Sequence, residues 1–135
     1  MSPMQIKIEN QQKTILVAMG GNLDSAMGPP HVTLGYALAS LRSMTNSLLR
    51  TSKYFVTPCF PIGYGPDYVN AAASFQFQGE SHELLAILHR IEANFGRRRT
   101  QRWGGRVLDL DLLAFGDEIA PTIKVYEAWR DKPLA

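Results

Sequence analysis

The chain has 135 residues, enough for one domain whose core buries roughly two-thirds of the surface an unfolded chain exposes. Its 14 basic and 12 acidic residues leave a formal net charge of only +2, which argues against a generally basic, nucleic-acid-binding protein. A single cysteine, Cys59, excludes an internal disulfide, and the longest early apolar run, residues 15–19, is too short for a signal-peptide core or a membrane span, so a cytoplasmic protein with no membrane partner is expected.

After a polar leader, residues 14–19 read as a short buried strand ended by a Gly20-Gly21-Asn22 turn. That turn lacks the lysine of a Walker loop and the glycine spacing of a dinucleotide fingerprint. Gly28-Pro29-Pro30 opens a helix over about 31–47, with Leu34, Leu38, Leu41 and Met44 at helical spacing. Residues 48–56 follow as a strand. TPCFPIGYGPD, at 57–67, then packs three prolines and two glycines into eleven residues and must be a loop. Residues 68–78 alternate: Val69, Ala71, Ala73, Phe75 and Phe77 on a core face, Tyr68, Asn70, Ser74 and Gln76 on a polar one. Tyr68 and Asn70 sit at the loop end of that polar face, where an aromatic ring and a carboxamide suit a flat heterocycle.

Ser81 is suited to cap a helix over about 82–95, with Leu84, Leu88, Ile91 and Phe95 as its buried stripe and Gly96 closing it. Glu92, in the last turn, fits either a solvated carboxylate or a partner for the arginines that follow. His82 and His89 have no metal-ligand spacing with each other or with cysteine.

The chain's chemistry concentrates in GRRRTQRWGGRVLDLDLLAFG, residues 96–116, where Arg97, Arg98, Arg99, Arg102 and Arg106 lead into a strand bearing Asp109 and Asp111. The planar donor fork of arginine suits phosphate oxygens better than a lysine point charge does. Alternation puts Leu108, Leu110 and Leu112 on one side and both aspartates on the other, with their Cα atoms roughly 7 Å apart at ~3.3 Å per residue. Both carboxylates then reach a pair of magnesium ions ~3.5–4 Å apart. Alone, the arginines fit a solvated loop and Asp-Leu-Asp a wet strand face; together they fit magnesium-borne polyphosphate. Trp103, beside Gly104-Gly105, fits a core anchor or a ligand contact.

The order strand, helix, strand, strand, helix, strand predicts a single α+β domain over 1–135, ferredoxin-like βαββαβ, with an antiparallel sheet and both helices on one face. Asp109, Asp111, Tyr68 and Asn70 then line a ligand valley on the other. An RNA-binding domain of this shape needs exposed aromatics on its central strands, whereas Phe75 and Phe77 fall on the core face.

In sequence and order, GGN, TPCFPIGYGPDYVNAA and RIEANFGRRRTQRWGGRVLDLDLLAFGDE resemble the 6-hydroxymethyl-7,8-dihydropterin pyrophosphokinases of folate biosynthesis, over about residues 15–119. The resemblance implies transfer of the β,γ-pyrophosphoryl group of ATP to the pterin hydroxymethyl oxygen, leaving AMP, with two Mg2+ ions on Asp109 and Asp111. It implies a pterin pocket of Thr57, Pro58, Phe60, Tyr68 and Asn70, ATP contacts from Glu92, Arg99, Trp103 and Leu112, and catalytic roles for Arg97 and Arg106. ATP and the dihydropterin are the implied small-molecule partners, for a monomer or homodimer. The chain departs from the family's pattern at Gly21, usually serine, and at Gly105, usually proline. It also lacks the family's C-terminal Pro-His-Pro element, reading APTIKVYEAWRDKPLA instead, so weak nucleotide binding and slow turnover are expected. Val125, Tyr126 and Trp129 are candidates for a covering turn, a disordered tail or a dimer contact. A non-catalytic pterin- or nucleotide-binding homologue is the alternative.

Overall fold

The computed structural model describes residues 11–59, 62–63, 65–96 and 105–119, and the expectations for Val125, Tyr126 and Trp129 fall outside them. The described elements run β1 (Lys13–Gly21), α1 (Pro30–Thr45), β2 (Arg50–Thr51), β3 (Phe55–Thr57), β4 (Tyr68–Phe77), α2 (Ser81–Asn94), β5 (Asp109–Phe115) and β6 (Glu118–Ile119). β1 lies at the centre of one antiparallel sheet, with β4 on one side and β5 on the other. β2 and β3 both pair along the outer edge of β4, and β6 pairs with β5. An antiparallel sheet with two helices makes this an α+β domain.

Period-two alternation supplies the sheet half of the core: Ile15, Val17 and Met19 from β1, and Ala71, Ala73, Phe75 and Phe77 from β4, are buried. Leu34, Ala37 and Leu41 of α1 and Leu84, Leu88 and Ile91 of α2 complete it, and the two helices touch each other as well as the sheet. Burying each large aliphatic side chain contributes about 1.5–3 kcal/mol, more than any single cap, so these stripes fix the helices in place. Pro30 occupies the first turn of α1, where its missing N–H costs nothing, and Asn46 ends the helix at φ 52°. α2 is capped one residue earlier than expected. Glu80, not Ser81, is the N-cap, in a reciprocal box in which the Glu80 N–H donates to Glu83 Oε1 at 2.8 Å.

Three departures from simple alternation shape the sheet. The strand expected over 48–56 is broken, because the Ser52 hydroxyl accepts the Ala72 N–H at 2.8 Å in place of a backbone carbonyl. Thr57, which the loop reading assigned to the connection, belongs to β3. In β5, Val17 faces Leu112 while Leu16 faces Ala114, so Leu113 is a bulge residue. That extra residue reverses the phase of the strand and turns Phe115 into the core, edge-on to Phe77 with ring centroids 6.4 Å apart.

Candidate active site

The Gly-Gly-Asn segment is not a free turn. β1 continues through Gly20 and Gly21, and Gly20 faces Asn70 of β4 on one side and Asp109 of β5 on the other. One step along, Ala18 lies between Ala72 and Asp111. Directly paired residues share a sheet face, so Asn70, Asp109 and Asp111 stand together on the face opposite the core. Tyr68 joins them, two residues before Asn70.

The two ends of this face differ in chemistry. On the β4 side, Asn70 Nδ2 donates to Thr57 Oγ1 at 2.8 Å, and Thr57 pairs with Tyr68 across the β3–β4 ladder. Burial raises the pKa of the Tyr68 phenol above its ordinary value; the Asp109 and Cys59 charges add to the rise and Arg106 opposes it. On the β5 side, Arg106 Nε lies 3.7 Å from Asp109 Oδ2, with side chains 15% and 23% exposed.

Two buried polar residues hold these ends in register. Glu92, 5% exposed, accepts the backbone N–H of Leu110 at its Oε2 at 2.7 Å, fixing the strand midway between the two aspartates. The solvated reading of Glu92 does not hold. Asn22, 2% exposed, accepts the Arg106 N–H at Oδ1 at 2.8 Å and donates from Nδ2 to the Pro66 carbonyl at 3.0 Å and to Cys59 Sγ at 3.7 Å. The Asn22 and Leu23 N–H groups both donate to the Arg106 carbonyl. One side chain thus ties the end of β1 to the loop before β4 and to the segment leading into β5. Its only signal in the sequence was its place after two glycines.

Of the other expected site residues, Pro58 is exposed beside Thr57, and Leu112 is partly buried against the core. Phe60, Arg97, Arg99 and Trp103 lie outside the described residues. A cavity of about 550 Å³, bordered by Ser25, Met27, Ser40, Phe95 and Val107, lies apart from Tyr68, Asn70, Asp109 and Asp111. Among the described residues no group of three or more His, Cys, Asp or Glu is placed to hold a metal, and no helix is long and apolar enough to cross a membrane. Two carboxylates on one strand face nonetheless fit magnesium, which takes one or two protein carboxylates and fills its octahedron with water and substrate phosphate oxygens.

A carboxamide, a hydroxyl and a phenol at one end of a sheet face, with two carboxylates and a guanidinium at the other, give this α+β domain a set of groups whose chemistry matches a ligand with a flat polar end and a phosphate end. Comparison with known proteins narrows that class. The family model described as 7,8-dihydro-6-hydroxymethylpterin-pyrophosphokinase matches residues 16–131, and the chain belongs to that family. It is 37% identical over 107 residues to the 2-amino-4-hydroxy-6-hydroxymethyldihydropteridine pyrophosphokinase of Haemophilus influenzae, covering 78% of this chain and 64% of that protein. It is 36% identical over 103 residues to the protein of that name from Synechocystis, covering 76% and 50%. With the Pseudomonas putida protein of that name it shares 34% identity over 111 residues, covering 81% and 89%. The chain thus spans between half and two-thirds of the length of the first two relatives.

Proposed function

We propose that this chain transfers the pyrophosphoryl group of ATP to 6-hydroxymethyl-7,8-dihydropterin, giving AMP and the pterin diphosphate. The observation that carries this reading is the row Asn70–Gly20–Asp109, which sets a carboxamide and a carboxylate on either side of one strand, with Asp111 two residues further along the same face. The proposed fold is ferredoxin-like, βαββαβ over 1–135 with β2 and β3 counted as one broken strand. Its helices cover one sheet face and the ligand valley lies on the other. The protein acts in the cytoplasm, as a monomer or homodimer, on small molecules and not on nucleic acid.

Thr57, Pro58, Phe60, Tyr68 and Asn70 receive the pterin, with Asn70 reading its edge. Glu92, Arg99, Trp103 and Leu112 serve the ATP site, with Glu92 acting through the strand it positions. Asp109 and Asp111 hold two Mg2+ ions, which when bound neutralise phosphate charge. Arg97 and Arg106 contact the transferred group, Arg106 by exchanging its Asp109 partner for a phosphate oxygen. The hydroxymethyl oxygen bonds to the β-phosphorus and loses its proton to solvent as the bond from that phosphorus to the α,β-bridging oxygen breaks, and AMP leaves with that oxygen and the bonding electron pair. Catalysis of this kind rests on positioning and charge neutralisation, with no covalent nucleophile.

The Asn70→Ala variant tests the pterin assignment. It lowers pterin affinity by ~1–3 kcal/mol, because donors on the ligand lose their partner, and leaves the affinity for a non-hydrolysable ATP analogue, measured without pterin, unchanged. Calorimetry of both ligands gives the answer. Equal losses for the two ligands contradict the assignment.

A further inference from the structure

The cavity of about 550 Å³ is bordered by the loop between β1 and α1, by Ser40 of α1, by the end of α2 and by Val107 ahead of β5. Its size falls within the roughly 300–1,000 Å³ of small-molecule pockets. Phe95 and Val107 form its apolar side, and both pack against the core while staying only partly buried. Met27, 48% exposed, brings a thioether to the mouth. Ser40 and Asn94 add a hydroxyl and a carboxamide, and among the described residues that border the cavity Asp24 alone carries a charge. The loop that holds Asp24 and Met27 is braced from within. Ser25 and Gly28 exchange backbone hydrogen bonds of 2.9 and 3.1 Å, and the Ser25 hydroxyl accepts the Met27 N–H at 3.0 Å. That hydroxyl also lies 2.7 Å from the hydroxyl of Thr33, which is buried. A ligand therefore meets Asp24 and Met27 without first having to order the loop.

We infer that this cavity is a second small-molecule site, which takes an aromatic ring carrying a short cationic arm. The ring follows from the walls, since a thioether and a phenyl group contact an aromatic system better than they contact an aliphatic chain. The cationic arm follows from Asp24, whose carboxylate favours an ammonium group over an anion of the same shape. Ser40 and Asn94 supply partners for a polar atom on the ring. Neither proposed substrate has this chemistry: ATP is a polyanion, and the dihydropterin carries a neutral hydroxyl arm. The site therefore goes beyond the proposed reaction and does not depend on it.

Tryptamine is the probe, with indole-3-acetate as its anionic counterpart, each titrated into the nitrogen-15-labelled chain and followed by amide chemical shifts. Tryptamine should bind with a dissociation constant of about 1 mM, the affinity expected of so small a ligand. Its shifts should centre on Ser25, Ala26, Phe95 and Val107 and leave Asn70 and Asp111 in place. Indole-3-acetate should bind at least about fivefold more weakly. Asp24→Asn, at an exposed position, should cost about threefold or more in tryptamine affinity, and Ser40→Phe, which fills the cavity, about tenfold or more. A saturating non-hydrolysable ATP analogue with magnesium should leave that affinity within about twofold, because the two sites are separate. If Ser40→Phe does not fold, Asp24→Asn and the anionic probe decide the matter. No tryptamine binding, equal binding of the two probes, full affinity in Asp24→Asn, shifts centred on the sheet face, or displacement by the nucleotide would each overturn the inference while leaving the proposed function standing.

Discussion

Asp109→Ala and Asp111→Ala each abolish pyrophosphoryl transfer, by at least about 10³-fold in AMP formation, while the protein stays folded. The expectation follows from where the two residues stand. Each lies on the sheet face opposite the core, flanking Leu110, which is buried and held from behind by Glu92. Removing either carboxylate takes away a proposed magnesium ligand and leaves the packing side of β5 untouched. Asp109→Ala also breaks the 3.7 Å pair with Arg106, a partly exposed contact of the kind that contributes only ~0–1 kcal/mol. Unfolding temperatures measured without metal should therefore stay close to wild type. Near-normal transfer in either variant, or a nucleotide affinity indifferent to magnesium, contradicts the assignment.

Asn22→Ala should fail in the opposite manner, through the fold first. The side chain is buried, and its loss strands the Arg106 N–H and the Pro66 carbonyl, each at a cost of about 1–3 kcal/mol. A total of roughly 2–6 kcal/mol lowers the unfolding temperature by about 6 °C or more in a domain of this size. Pterin and nucleotide affinities both fall, because the loop before β4 and the segment carrying Arg106 lose their common anchor. Scanning calorimetry with ligand titration measures both effects. An unfolding temperature within about 2 °C of wild type would show that water or neighbouring groups replace the carboxamide.

The periodic features of this chain were legible without coordinates. Alternation in 68–78 and in the Leu108–Asp109–Leu110–Asp111 run assigned the same faces that the register gives them, and the stripes Leu34–Leu41 and Leu84–Ile91 became the helix contributions to the core. What escaped the sequence was aperiodic or long-range. The Ser52 hydroxyl substitutes for one ladder bond, and Leu113 adds one residue to one strand; each breaks a pattern without leaving a compositional mark. Glu92 looked misplaced near the negative end of a helix until its acceptor role toward Leu110 came into view. Asn22 reaches partners 44 and 84 residues away, which no local reading can find. At the site, Tyr68, Asn70, Asp109 and Asp111 could be grouped from alternation alone, but the division of labour among them rests on family resemblance.

The most direct measurement is the product of the reaction. The chain, incubated with ATP, magnesium and 6-hydroxymethyl-7,8-dihydropterin, should release AMP and pterin diphosphate in equal amounts, resolved by phosphorus NMR, and should release neither when pterin or magnesium is omitted. Formation of ADP with a pterin monophosphate, or no pterin-dependent AMP at all, would contradict the account.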